Sequence, residues 1–372
     1  MAIDPILVRC FDSFARVRAD AAGRLDDGAQ PGPFDRLAWF EALHARAFPG
    51  DTPLIVHAQG GGGHAWLFLT GSSGGTLDGI ANWYSFVFRP QFAGVEDRAT
   101  RLALLGAIAR ELRGKSRHLR FYPIVDDDRV DADLIAQALH AGGWRVIPRV
   151  MARKRLIAIA PGTRFADYWA ERPGTLRSTL KRKAQRHPAE IAIHRTVDDA
   201  LWSAFETVFG ASWKPDGDDF AFLRAFAERE AATGRLRLGI AHIDGVPAAV
   251  ELWTVEQGRA YIHKLAFNER FAEVSPGTQL SYAMFAQAID QDRVSLIDFG
   301  TGDNDYKAAW MPDALPMRQI DAFDLRHPAS WSVAFTTWLS ALSQPSEQGG
   351  RLKGKTTGGR RAALEATERS RA

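Results

Sequence analysis

The segment that most restricts the fold of this chain spans residues 260–310. Its order of apolar and turn-forming residues predicts a strand, a Ser-Pro-Gly-Thr turn, a helix, a second strand and a polar loop rich in glycine and aspartate. This order places a helix N-terminus beside the ends of two strands. Because the first amides of a helix lack helical partners and carry its positive dipole end, they bind anions such as pyrophosphate. The sequence therefore predicts an anion site in this segment.

The composition is that of a globular protein long enough for two domains. The chain has 372 residues, of which 46% are hydrophobic and 24% are charged, enough to bury two cores. The single cysteine, Cys10, excludes an internal disulfide framework and a cysteine-rich metal site. The N-terminus lacks a basic start followed by a long apolar run, and no window is apolar enough to span a bilayer. These features predict a cytoplasmic protein that is not an integral membrane protein.

Basic residues are concentrated in two places. Residues 343–372 contain seven Lys or Arg and three Glu, whereas the whole chain has a formal net charge of +3. The composition of this segment predicts a disordered basic tail that is solvated; the alternative is that it recruits an anionic membrane surface or nucleic acid. A second cluster, RSTLKRKAQR at residues 177–186, predicts a basic helix. Two interpretations stay open for this helix: a solvated face, or an electropositive patch for an acidic ligand.

Turn residues and apolar periodicity divide the chain into two units of similar element order. The first, residues 1–163, is predicted to contain helices at 34–48, 98–113 and 132–141 and strands at 53–59, 65–71, 82–88, 118–123 and 144–150. The second, residues 164–328, is predicted to contain the basic helix, a strand at 190–196, helices at 199–212 and 220–233, a meander at 235–243, 246–255 and 259–267 with a hairpin turn at 244–245, a helix at 278–291, and strands at 294–299 and 317–325. The predicted fold class is mixed α/β, with meanders flanked by helices.

Three segments of the second unit resemble the GNAT acyltransferase superfamily: AYIHKLAFNERF (260–271), SPGTQL (275–280) and DFGTGDNDYKAAW (298–310). Together with the basic helix, they resemble the branch of cellulose and exopolysaccharide biosynthesis (the CelD/BcsL-like type), related to the Fem peptidoglycan aminoacyltransferases. The resemblance implies tandem GNAT-like units, each with a central splay between two strands. It also implies an acyltransferase with acetyl-CoA or another acyl-CoA as cosubstrate. The acceptor would be an amine or hydroxyl of a small molecule, such as a sugar or cell-envelope precursor.

The resemblance further implies where acyl-CoA binds. The splay would lie between residues 259–267 and 294–299, with the pyrophosphate at the turn that opens the next helix. The cofactor-binding residues so implied are Leu265, Phe267, Ser275, Gly277, Thr278 and Gln279. The turn keeps one glycine of the usual Arg/Gln-x-x-Gly-x-Gly/Ala pattern, and Pro276 removes a backbone donor. A plain helix start, with Ser275 as the cap and Pro276 as the first helical residue, also explains this turn.

Direct attack on a thioester requires a proton acceptor for the nucleophile, polarisation of the carbonyl and an acid for the leaving thiolate. Tyr306 stands where the superfamily often has that acid; the alternative is a half-buried aromatic. His263 is the first candidate base or a structural histidine. Period-2 alternation places it on one strand face with Tyr261, Leu265 and Phe267. Glu251, among apolar residues, is the second candidate base or the partner of an arginine.

The polar loop supplies the substrate-binding candidates Asp303, Asp305 and Lys307. The two carboxylates could instead cap the following helix, and the lysine could be a surface residue. Motifs of metal sites and of nucleotide hydrolysis do not occur, so no metal is expected. Two other functions stay open: Fem-like transfer from aminoacyl-tRNA, with RNA phosphates on residues 177–186, and a non-catalytic binding lobe in a polysaccharide-secretion system. The acyl-CoA interpretation expects no stable nucleic-acid partner.

Overall fold

The computed structural model describes residues 5–72, 75–126, 130–213 and 217–342, and the chain divides into two compact units. Unit 1 contains the described residues up to Arg153 and those from Leu315 onward, and unit 2 contains Lys154–Ala314. The sequence-based boundary was set at residues 163/164. The predicted basic tail, residues 343–372, lies outside the described residues.

Unit 1 begins with an antiparallel meander and continues with alternating helices and strands. In chain order its elements are β1 (Leu7–Phe11), α1 (Phe14–Ala21), α2 (Leu37–Ala47), β2 (Pro53–Gly60), β3 (Gly63–Ser72), β4 (Thr76–Gly79), β5 (Gln91–Ala93), α3 (Arg98–Leu112), β6 (His118–Ile124), α4 (Ala132–Ala141) and the first part of β7 (Arg145–Ala158). Strands β1 to β4 pair antiparallel in order, and β5 also pairs with β3. Strand β4 then runs parallel to β6.

Residues 82–88 were predicted as a strand, and the structure shows that this prediction is wrong. The segment is irregular, because the Asn82 side chain accepts a hydrogen bond from the amide of Tyr84 at 2.9 Å and turns the backbone. Its aromatic residues are nevertheless buried, with Phe86 5% and Phe88 1% exposed. The apolar pattern therefore reports burial and not pairing in a sheet.

Unit 2 repeats this plan. After the last residues of β7 come α5 (Phe165–Ala170), α6 (Gly174–Arg186), β8 (Glu190–His194), α7 (Asp199–Gly210), α8 (Phe220–Ala232), β9 (Leu236–Ile243), β10 (Val246–Glu256), β11 (Arg259–Phe267), α9 (Pro276–Ala286), β12 (Leu296–Thr301) and α10 (Asp305–Trp310). Strands β8 to β11 form an antiparallel meander, β11 runs parallel to β12, and β12 pairs antiparallel with the end of β7. The mixed α/β fold class is as predicted.

Local sequence signals set the turns and helix starts of unit 2. Asp244 and Gly245 have φ of 49° and 74°, the conformation that a type I′ hairpin requires and that Asp-Gly adopts readily. Asp198 accepts a hydrogen bond from the amide of Leu201 at 2.8 Å. This hydrogen bond satisfies an amide in the first turn of α7, which has no acceptor within the helix.

The core of unit 2 lies between α9 and the meander. The largest side chains in it are fully buried aromatics, among them Trp253, Phe285 and Trp310. Helix α9 comes close to β9 because position 239 is a glycine. A Cβ at Gly239 would lie 2.6 Å from Sδ of Met284, which is inside van der Waals contact.

The chain returns to unit 1 through β13 (Asp313–Phe323) and α11 (Trp331–Leu342). Strand β13 pairs antiparallel with β6, so residues 317–325 do not close the sheet of the second unit as predicted. The cause is the burial of Ile320 and Phe323 in unit 1, both 0% exposed, together with a hydrogen bond of 2.9 Å between Nε2 of His118 and Oδ1 of Asp321. None of the described helices combines the length and apolar character needed to cross a membrane.

Candidate active site

Strands β11 and β12 diverge in the centre of unit 2. They pair in parallel at only three positions, the last of which joins Tyr261 to Asp298. Strand β11 nevertheless continues to Phe267 and β12 to Thr301. The two strands therefore separate beyond Tyr261, and a gap opens between their C-terminal ends. This gap lies where the splay was predicted. Strand β11 has the predicted bounds, and β12 begins and ends two residues later than its predicted strand.

Helix α9 starts beside the end of β11. Pro276 is its first residue, as predicted, but the Ser275 side chain makes no capping hydrogen bond and its φ is 54°. The amides of Gly277 and Thr278 lie in the first turn, where a helix supplies no acceptor. A Cβ on Gly277 would lie 3.6 Å from the ring of Phe267. The first turn thus packs on the end of β11, at the opening of the splay.

Gln279 was predicted to bind the cofactor. Its side chain makes three hydrogen bonds to backbone groups of unit 2. Its Oε1 accepts from the amide of Ala189 at 2.9 Å, and its Nε2 donates to the carbonyls of His187 and Val274, both at 3.1 Å. The residue is 5% exposed. These bonds tie the start of α9 to the chain that follows α6, so the Gln279 side chain fixes the turn.

Leu265 and Phe267 line the inner side of β11. Both are half-buried and pack on the core that includes Phe285. The ring of Phe267 also contacts Trp213, with a centroid distance of 4.6 Å, and Trp213 is 49% exposed. Apolar and aromatic surface therefore continues from the splay to the outside of the unit.

A chain of hydrogen bonds links α10 to β10 through α9. The Tyr306 hydroxyl lies 2.7 Å from Oγ of Ser281, and Ser281 donates to Oε1 of Glu251. The second carboxylate oxygen of Glu251 accepts from Nε1 of Trp253 at 2.6 Å. Since the Ser281 hydroxyl has one proton and gives it to Glu251, it accepts from Tyr306. Ser281 has no signature in the sequence, where it reads as an ordinary polar helix residue.

Tyr306 is held in its protonated form. Burial, and after it the charge of Glu251, raise the pKa of the Tyr306 phenol above its ordinary value. Glu251 itself is 0% exposed and lies behind Ser281. The structure therefore brings Tyr306 and Glu251 together, as a protonated phenol supported by a buried carboxylate. It does not place Glu251 as a base at the surface of the gap.

His263 lies in a β-bulge, which places it away from Tyr306 and Glu251. On β10 and β11, Leu252 pairs with Lys264, but the next residue, Trp253, pairs with Ile262. His263 is thus the extra residue of the bulge, and it interrupts the period-2 alternation on which its predicted orientation rested.

The bulge leaves His263 on the other face of the sheet. Its Nε2 lies 2.8 Å from Oγ1 of Thr254, and Thr254 is three residues after Glu251, so their side chains point to opposite faces. Leu265 and Phe267 pack on the core beneath α9. The prediction that His263 shares their face is therefore wrong.

His263 is also a weak base. Its ring meets Phe226 of α8 edge-on at 4.7 Å. Burial, and after it the charge of Lys264, lower the pKa of His263 to about 3. The imidazole is neutral at physiological pH and takes up a proton only in strong acid.

Two of the three substrate-binding candidates of the polar loop, Lys307 and Asp303, have local partners. Lys307 Nζ donates to the carbonyls of Phe299 at 3.0 Å and Thr301 at 2.6 Å, and burial lowers the pKa of Lys307 to about 8. Asp303 accepts from Nε of Arg155 at 2.7 Å.

Helix α10 is capped by neither aspartate. Asn304 caps it by accepting from the amide of Lys307 at 2.9 Å, so the predicted capping by Asp303 or Asp305 is wrong. Asp305 is exposed at the first position of α10.

The basic helix α6 lies beside the start of α9. Lys183 donates to the carbonyl of Glu273, two residues before Ser275. Exposed basic residues of α6 are Arg177, Lys181, Arg182 and Arg186. Helix α6, which flanks the first turn of α9, therefore carries exposed positive charge. Within the described ranges, no three His, Cys, Asp or Glu side chains are grouped as metal ligands would be.

The chain is similar in sequence to one protein family and in structure to several solved proteins. Residues 170–308 match the family model described as the acetyltransferase (GNAT) domain. No curated protein sequence matches the chain. Among solved structures, FemX has a TM-score of 0.56 at 12% identity, over 87% of this chain and 99% of its own. A conserved protein of unknown function from Bacteroides thetaiotaomicron has a TM-score of 0.52 at 12% identity, over 86% and 100%. A tandem GNAT protein from the clavulanic acid biosynthesis pathway has 0.45 at 14%, over 85% and 98%.

The matched residues contain the splay, the first turn of α9 and the Tyr306–Ser281–Glu251 chain. Residues 170–308 have a GNAT-domain fold, and the predicted mixed α/β fold class is confirmed.

Proposed function

We propose that unit 2 transfers an acyl group from acyl-CoA, with acetyl-CoA as the donor, to an amine or hydroxyl acceptor. The observation that carries this proposal is the splay between β11 and β12, with the first turn of α9 at its opening and the protonated Tyr306 beside it. A thioester needs these elements in this order: backbone amides for a pyrophosphate, a slot for the acyl arm and a proton donor for the thiolate.

The first turn of α9 would hold the pyrophosphate. The amides of Gly277 and Thr278 are available as donors, and the helix dipole favours negative charge there. The exposed bases of α6, including Lys181 and Arg182, add positive charge on a helix anchored next to this turn. The loss of one donor at Pro276 is thereby offset by side-chain charge.

Tyr306 would supply the proton of the leaving group. The acceptor nitrogen or oxygen attacks the carbonyl carbon, the carbon–sulfur bond breaks, and the thiolate takes the phenolic proton. The acceptor gives up its own proton to water, and solvent restores the phenol. Ser281 and Glu251 act as positioning residues: the hydrogen bond to Ser281 orients the phenol, and the negative charge of Glu251 favours its protonated form.

The acceptor class follows from the sequence resemblance. A saccharide or cell-envelope precursor of the CelD/BcsL-like type is the acceptor we propose, and Asp303 and Lys307 would shape its site through the polar loop. Their hydrogen bonds hold the loop between β12 and α10 in place, so they act on the acceptor through backbone position.

Fem-like transfer from aminoacyl-tRNA is the second candidate, since the likeness to FemX extends over 87% of this chain and the bases of α6 suit RNA phosphates. The test measures release of free thiol from acetyl-CoA with a panel of amino sugars and hydroxyl sugars. The same reactions are run with aminoacyl-tRNA as the donor. We expect thiol release that requires both acetyl-CoA and acceptor. Product from aminoacyl-tRNA alone, weakened steeply by salt, would replace acyl-CoA by the second candidate.

A further inference from the structure

Helix α11 exposes a continuous apolar stripe. Trp331, Phe335, Trp338 and Leu342 follow one another at helical spacing, and they are 59%, 58%, 41% and 63% exposed. Leu339, at 45%, widens the stripe. So many large apolar side chains side by side on a surface mark a place where something else binds.

The stripe is part of a well-anchored helix. Ala334 is 7% exposed and packs with Ile147 and Phe323, which fixes one flank of α11 on unit 1. At its start, Nε1 of Trp331 donates to the carbonyl of Leu325 at 2.9 Å, and Leu325 is itself 44% exposed. The apolar surface therefore begins before the helix and is held in a fixed orientation.

The charge pattern points to one kind of partner. Helix α11 has no charged residue, and residues 343–372, which follow it directly, contain seven Lys or Arg and three Glu. A stripe of Trp, Phe and Leu next to a basic segment is the combination that binds the surface of an anionic bilayer. The aromatic rings enter the headgroup region, and the bases meet the lipid phosphates. We propose that α11 docks this protein on an anionic lipid surface.

The polar residues of α11 agree with a helix that lies on the membrane surface. Its polar side carries Ser332, Thr336 and Ser340, which suit the water side of an interface.

Vesicle sedimentation of the full chain tests the proposal. We expect the protein to bind vesicles of equal parts phosphatidylcholine and phosphatidylglycerol at least about tenfold more tightly than pure phosphatidylcholine vesicles. Phe335→Ser with Leu339→Ser should remove most of the binding, and Arg360→Glu with Arg361→Glu should weaken it to the anionic vesicles. The matched control is Trp83→Ser, because Trp83 is an equally bare aromatic of unit 1, 67% exposed, outside α11.

Three results would overturn the proposal. The first is an absence of sedimentation with anionic vesicles. The second is equal binding by wild type and the Phe335/Leu339 variant, at unchanged melting temperature. The third is a dimer in light scattering that this variant converts to monomers, since the stripe would then be covered by a second copy of the chain.

Discussion

Ser281 joins Tyr306 to Glu251. Its hydroxyl lies 2.7 Å from the Tyr306 oxygen and donates to Oε1 of Glu251, so three elements distant in sequence meet in one hydrogen-bond chain. Because the carboxylate is 0% exposed, Ser281 is the route by which it influences the phenol.

Replacing Ser281 by alanine should impair turnover without impairing donor binding. The Tyr306 phenol would lose its acceptor, and Glu251 would lose a donor in a buried place. We expect kcat to fall about 10- to 100-fold, with the Kd for acetyl-CoA within about twofold of wild type. Steady-state kinetics and titration measure the two quantities, and Ser178→Ala on the exposed side of α6 is the control.

Tyr306→Phe should have the larger effect. Removing the proton donor should lower kcat about 10²- to 10⁴-fold. Adding Ser281→Ala to Tyr306→Phe should then cost little more, because residues that act as one unit are not additive. Multiplying effects in the double variant would show that Ser281 acts independently of Tyr306. Undiminished function in Tyr306→Phe would favour a non-catalytic lobe.

His263→Gln tests the position of the histidine. The pKa of His263 is lowered to about 3, so between pH 6.5 and 3 the unfolded chain takes up a proton that the folded protein does not. Stability from this residue is therefore complete above its ordinary pKa of about 6.5 and is lost as the pH falls towards 3. We expect a shallower decline of the unfolding free energy in His263→Gln over this range, and a pH–rate profile like that of wild type. Loss of a titration near pH 6 to 7 in the rate would instead identify His263 as a base.

Gly239→Ala should destabilise unit 2. The added Cβ would lie 2.6 Å from Sδ of Met284 and 3.0 Å from Cδ1 of Leu280, so α9 must shift from β9. Overpacking of this kind costs about 1–3 kcal/mol, measurable by denaturant unfolding. Gly210→Ala at the end of α7, where nothing lies within 4 Å of the new atom, should be neutral or stabilising.

Lys307→Met should loosen the polar loop. It removes hydrogen bonds to the carbonyls of Phe299 and Thr301, at a cost of about 1–3 kcal/mol. The pKa of Lys307 is lowered to about 8, so between pH 8 and about 10.4 the unfolded chain binds the extra proton. The contribution of Lys307 to stability then rises with pH in that window. The gap between wild type and Lys307→Met should therefore be wider at high pH than at pH 7.

The sequence predicts the order of elements in unit 2 because each signal there is local. The Asp244-Gly245 turn, the Pro276 helix start and the alternating meander require no knowledge of distant residues. Residues 82–88 and β13 show the opposite case. Their apolar character is clear in the sequence, but the choice between sheet and irregular packing, and between units, depends on partners far away in the chain.

Only part of the candidate site was proposed from the sequence. Tyr306 and Gly277 were proposed from the resemblance of residues 275–280 and 298–310 to the GNAT superfamily. The bulge at His263 moves one residue out of the alternation, and neighbouring apolar residues on both faces hide it. Ser281 and the bonds of Gln279 depend on which residues meet in space, which spacing along the chain does not encode.

Calorimetric titration with acetyl-CoA tests the central proposal, that the first turn of α9 binds the donor. We predict binding by wild type with a Kd between about 1 µM and 1 mM. Gly277→Ala should bind nearly as well, because its new Cβ would be at ordinary contact distance, 3.6 Å, from Phe267. Gly277→Leu should bind much more weakly, while a thermal melt shows that the variant is still folded at the temperature of the titration. Absence of heat with both acetyl-CoA and CoA, or equal affinity in the alanine and leucine variants, would contradict a donor site at this turn.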